Sequence, residues 1–84
     1  MKWYFIRTPT SNDGQLVRAF DREDALFRAA GFFFGVARVP WDIDDLIVRE
    51  VVSIDGYSLL SAAIKHFPEA STYYAQIKDI TLKV

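Results

Sequence analysis

Trp3-Tyr4-Phe5-Ile6 sets four large apolar side chains in a row, and this run constrains the fold more than any other stretch. Aromatic and β-branched residues favour strands, and the extended reading over residues 2–8 stops before Pro9. Successive strand side chains face opposite ways. Trp3 and Phe5 therefore take one face, and Tyr4 and Ile6 take the other. Both faces are apolar, which predicts a central strand of a sheet covered on one side and touched by something on the other.

Thr8 to Gly14 is rich in turn formers, with Asp13-Gly14 the sharpest turn signal. A short strand from Gln15 to Ala19 then pairs back on the first. Asp21 is a helix cap, with Asp24 three positions on in a capping-box-like relation. Leu26, Ala29, Ala30 and Phe33 recur at helical spacing. Gly31 allows two continuations. As the residue after the C-cap it ends the helix, and Phe32 to Val36 opens a strand. Inside a longer helix it costs about 1 kcal/mol against alanine. The expectation carried forward is a helix over 22–30 and a strand over 32–39.

Pro40-Trp41 interrupts the chain. Asp42 can cap a helix with Asp45 at its third position, whereas Leu46 to Val52 is β-branched strand material. A short helical turn over 42–46 running into a strand near 47–54 satisfies both signals. Asp55-Gly56 marks a turn. Tyr57 to Phe67 is the most regular helical pattern, with Leu60, Ala63, Ile64 and Phe67 on one stripe and Pro68 as its stop. Residues 72–84 read as extended, but Tyr73, Ala75 and Ile77 share one parity while Ile80, Leu82 and Val84 share the other. A bulge, a bend or a break into two strands is expected near Lys78-Asp79. The predicted class is α+β, a single domain over 1–84 with a small mixed or antiparallel sheet of three to five strands and two main helices. The ferredoxin-like β-α-β-β-α-β plan with an extra short strand is one version of it.

Ten Lys plus Arg stand against eleven Asp plus Glu, for a net charge of -1, which is no footprint for a phosphate backbone. The chain has no cysteine. This excludes disulfides, thiolate metal sites and cysteine nucleophiles, and points to a reducing cytoplasm. Met1 to Arg7 does not resemble a cleaved leader, and no stretch approaches the roughly 20 apolar residues of a membrane span.

Phosphate-binding glycine loops, zinc-protease spacing and a nucleophile elbow are missing. His66 is the single histidine. It lies beside the last turn of the predicted second helix, where a cation is favourable. Asp42, Asp44 and Asp45 form a D-I-D-D run without the glycine and downstream glutamate of a calcium loop. They read as helix capping and solvation, as a negative contact patch, or, last, as a metal site; Trp41 beside them is either the anchor of that patch or a plug at the end of the core. Asp21, Glu23 and Asp24 belong to a helix first turn. Phe32-Phe33-Phe34 reads as core or as a contact edge, without the basic and glycine pattern of an RNA-stacking platform. Arg7, Arg18, Arg38 and Arg49 would make an anion or nucleic-acid face only if they converged.

No catalytic residue, cofactor site or metal site is assigned. The functional expectation is a non-enzymatic protein-interaction module, a regulator or inhibitor of a larger protein complex that acts by steric surface occupancy. Trp41 and Tyr57 would anchor the partner, and Asp42, Asp44 and Asp45 would orient its basic surface. Compact phage or mobile-element inhibitors of host defence complexes are one instance that this size and composition permit. Self-association through an uncovered sheet edge is compatible with it. Nucleic-acid binding through a basic or aromatic sheet face is the alternative.

Overall fold

The computed structural model describes residues 1–55 and 72–84. Strands β1 (Lys2–Arg7), β2 (Gly14–Ala19), β3 (Ile47–Ile54), β4 (Thr72–Ala75) and β5 (Ile80–Leu82) form one sheet in the order β4-β2-β1-β3-β5. Every pairing is antiparallel. β1 lies at the centre, with Tyr4 opposite Val17 on one side and Glu50 on the other, as its two apolar faces predict. Tyr4, Ile6, Val17 and Ala19 pack with Ala25, Ala29, Phe33 and Leu46 on one face. Phe5 and Leu16 pack with Ala75 and Ile80 on the other. Phe5, Ile6, Leu16 and Val17 are fully buried. At about 1.5–3 kcal/mol for each such side chain, the β1–β2 hairpin is the centre of both clusters.

The hairpin loop turns earlier than Asp13-Gly14 suggests. The Ser11 N–H donates to the Thr8 carbonyl at 3.2 Å. Ser11 Oγ donates to the Asp13 carbonyl at 2.9 Å and accepts the Asp13 N–H at 3.3 Å. Arg7 Nη1 donates to the carbonyls of Thr8 and Ser11, at 3.3 and 3.2 Å. Gly14 is required for a different reason. Its φ is not positive, but a Cβ there would collide with the Ile6 carbonyl oxygen.

Helix α1 (Arg22–Ala30) begins as its capping residues dictate. Asp21 Oδ1 accepts the Asp24 N–H at 2.8 Å, and Asp24 Oδ2 accepts the Phe20 N–H at 2.9 Å, one residue before the cap. Arg28 Nε also reaches Asp24 Oδ2 at 3.0 Å. The Phe20 N–H, and after it Arg28, hold the Asp24 carboxyl below its ordinary pKa.

The helix does not stop at Gly31. Ala30 and Gly31 are both right-handed, and Gly31–Val36 continues as a π-helix where a strand over 32–39 was expected. The wider i→i+5 turn reduces the angle between successive side chains, so that three consecutive phenylalanines can all face the sheet. Phe33 is buried and Phe32 and Phe34 pack against the same cluster. Phe32 and Phe33 meet edge to face, with centroids 5.3 Å apart. The helix closes with Ala37 N–H to Phe32 O at 2.8 Å and Val39 N–H to Phe33 O at 2.9 Å. Arg38 stands at φ 50, the left-handed position that commonly ends a helix.

A 3-10 turn over Ile43–Asp45 feeds directly into β3, which combines the two competing signals in that stretch. Asp42 and Asp45 form a reciprocal capping box, with Asp42 N–H to Asp45 Oδ2 at 3.0 Å. The change of phase in the C-terminal stretch is a second 3-10 turn, Ile77–Asp79, between β4 and β5.

That turn shapes the whole sheet, because β4 and β5 occupy opposite edges. At about 4.8 Å per strand, a flat sheet would hold these edges roughly 19 Å apart. The chain from Ala75 to Ile80 spans at most about 18 Å when fully extended, and part of it is coiled. The sheet must therefore curl, which brings Ala75 and Ile80 into one buried cluster with Phe5 and Leu16. It stays open, because no ladder joins β4 to β5. Asp55 ties down the junction: its N–H donates to the Asp79 carbonyl at 2.7 Å, and its carboxylate accepts Ser53 Oγ at 2.9 Å and Thr81 Oγ1 at 2.8 Å.

The fold is α+β, but the plan with two main helices and its ferredoxin-like version are corrected. The expected β1–β2 hairpin forms, but Gly31–Val36 is helical instead of the second strand after the helix, the described residues hold one extended helical body from Arg22 to Val36, and the sheet is open. The predicted helix from Tyr57 to Phe67, with His66, lies outside the described residues. Among the described residues no helix is long and apolar enough to cross a membrane.

Candidate functional site

Of the predicted contact residues, Trp41 is half-buried and Asp42, Asp44 and Asp45 are exposed. Among the described residues Trp41 belongs to neither apolar cluster. Asp42 and Asp45 serve each other's backbone in the capping box. Asp44 and Ile43 are left facing water beside the tryptophan. No three His, Cys, Asp or Glu side chains among the described residues converge as metal ligands. Tyr57 lies outside the described residues.

Three of the four arginines share a sheet face, and Arg38 does not. By register Arg18 lies opposite Trp3 and Arg49 opposite Phe5, so these two and Arg7 share a sheet face. Arg38 is at the end of the helical body. Arg7 is engaged by the loop carbonyls, and Arg49 Nη2 donates to the Lys83 carbonyl at 2.8 Å. The nearby Lys2 and Lys83 both pair with Glu50 at 3.6 Å.

The structure assembles a cleft that the sequence does not announce. It has a volume of about 310 Å³ and lies between the hairpin loop, the β2–β4 pair and the end of the helical body. Thr8, Asp13, Gln15, Phe32, Phe33 and Tyr74 are among its walls. Gln15 is only 4% exposed and sits opposite Tyr74 in the ladder. Tyr74 is 59% exposed, yet its hydroxyl is fixed by donation to Asp13 Oδ2 at 2.7 Å. That bond to Asp13 raises the tyrosine pKa above its ordinary value. The Ser11 bonds hold the Asp13 backbone, so the carboxylate is carried on a braced loop. Three distant stretches meet here. Each residue had an ordinary local reading: Asp13 as a turn former, Phe32 and Phe33 as core, Tyr74 as one tooth of a strand. The excess of aromatic residues was the one available hint.

A second feature is the outer side of the helical body. Phe27 lies about 160° around the helix from Ala25 and Ala29, and is 80% exposed where those alanines are buried. Phe20, before the cap, is 67% exposed with the Arg28 guanidinium 6.0 Å above its ring. Val36, in the π-helical turn, is 74% exposed. Compared with protein-family models, curated proteins and solved structures, the chain matches none of them.

Proposed function

We propose that the chain is a small, non-catalytic protein-interaction module of the cytoplasm, a regulator or inhibitor that works by covering part of a larger complex. The observation that carries this reading is Phe27, a phenylalanine placed opposite the buried side of its own helix and left in water. Phe20 and Val36 extend apolar exposure to the two ends of the same helical body. Isolated exposed apolar residues are ordinary. Two large ones on the helical body of an 84-residue chain, with a third just before its cap, are apolar area that the small core does not use and that an interface can bury, at about 25 cal/mol per Å². Trp41, Ile43 and Asp44 supply a second contact with an aromatic anchor and a free acid.

The test is affinity capture of the tagged chain from the lysate of its source cell, with and without nuclease, alongside Phe27→Asp and the double variant Trp41→Ala/Asp44→Lys. The wild-type chain should retain a stoichiometric protein partner through nuclease treatment. Phe27→Asp should lose it while changing unfolding free energy by less than about 0.5 kcal/mol, as expected for an exposed position. Capture that vanishes with nuclease, or that is indifferent to both variants, overturns the proposal.

A further inference from the structure

We infer that the cleft between the hairpin loop and the helix end receives an arginine side chain presented by the protein partner, an inference that rests on the interaction reading above. The charge of the walls is the first argument. Among the described residues they include the Asp13 carboxylate and neither a lysine nor an arginine. Arg7, on the same loop, is engaged by the Thr8 and Ser11 carbonyls. Arg38, between two lining residues in the chain, is exposed and is not itself part of the lining. Among the described residues Asp13 forms no ion pair. Its Oδ2 takes the Tyr74 hydroxyl, which leaves Oδ1 without a donor among those residues.

The remaining walls select the kind of cation. Phe32 and Tyr74 are aromatic walls that are not fully buried, and a guanidinium stacks on ring faces while keeping its in-plane donors free. It has five donors and no acceptor, which suits a cleft offering the Asp13 carboxylate and the amide of the nearly buried Gln15. A lysine ammonium is a more strongly hydrated point charge without that planar face. Size agrees as well: the volume of about 310 Å³ is at the bottom of the range for small-ligand sites, about 300–1,000 Å³, enough for one side chain rather than a nucleotide cofactor. The Tyr74–Asp13 and Ser11–Asp13 bonds hold the acceptor in place beforehand, so that little ordering accompanies binding.

The experiment is an amide-resolved NMR titration of the full chain with N-acetyl-arginine-N-methylamide, and in parallel with the uncharged citrulline analogue. Saturable shifts should appear at Ser11, Asp13, Gln15 and Ala37, with a dissociation constant on the order of 1–10 mM for so small a probe. The citrulline compound should bind about tenfold more weakly or worse, and Asp13→Asn should remove the preference. Absence of saturable shifts at these residues, or equal binding of the two probes, overturns the inference. The wild-type comparison decides this even if Asp13→Asn fails to fold. Phe27→Asp, which is not part of the lining, should leave the titration unchanged. A failed titration with an intact captured partner therefore sinks the arginine reading alone, whereas a successful titration with no captured partner sinks the interaction reading on which it rests.

Discussion

At Gly14 the missing side chain lets β2 lie close against β1, because a Cβ would meet the Ile6 carbonyl oxygen, a backbone atom that cannot swing aside. Gly14→Ala should therefore destabilise the chain by about 1–3 kcal/mol, the usual cost of overpacking, as read by urea denaturation. A change below about 0.5 kcal/mol would mean that the hairpin end yields freely. The sequence marked this place correctly for the wrong reason. Asp13-Gly14 is a strong turn signal, but the turn is made by Thr8 and Ser11, and the glycine serves a close approach between strands. Asp13 was likewise legible as a loop residue. Its bond to Tyr74, 61 residues away, has no trace in local sequence.

Among the elements, the helical body is where local preference and packing disagree most. Three phenylalanines after a glycine favour a strand by propensity, but Gly31 stands at φ -58 and ψ -40 and the helix runs through it. A Cβ at Gly31 would meet nothing within 4 Å. Gly31→Ala should thus raise stability by about 0.5–1 kcal/mol, since the glycine contributes only unfolded-state freedom, and thermal or urea unfolding would register it. No gain, or a loss, would mean that the widened turn depends on the flexibility of glycine. The elements that were legible are those specified by adjacent residues. The two-faced β1, the Asp21 cap, the Asp42–Asp45 turn into β3 and the change of phase near Lys78 all belong to this class. The π-helix was not legible, because it is chosen by the room that the sheet offers to Phe32, Phe33 and Phe34.

On the scale of the whole molecule, the strand order could not be read from the sequence, because no local pattern says which strands share an edge. The curl that follows from that order can be tested at the junction of β4 and β5. Four flexible residues inserted after Lys78 would cost only about 0.6 kcal/mol or less if the turn were a plain tether. The insertion also breaks the Asp79-to-Gln76 bond and slackens the Asp55-to-Asp79 bond, each worth about 1 kcal/mol. The expected loss is therefore about 2 kcal/mol in a urea titration, and a loss within the tether range would show that the curl is held elsewhere.

One consequence of that junction concerns the order in which the strands become available. β4 and β5, on opposite sides of the sheet, leave the ribosome after all the others. Until they emerge, the nascent β2-β1-β3 ribbon has two bare sides, each with unpaired N–H and C=O groups that can template a neighbouring chain. Both sides are then extended by one short segment in what amounts to a single late step, which leaves the short strands β4 and β5 as the edges. Crowded synthesis of this chain should thus favour entanglement between copies more than dilute refolding of the finished protein does, and the hazard falls once residues 72–82 are in place, when the exposed edges are short.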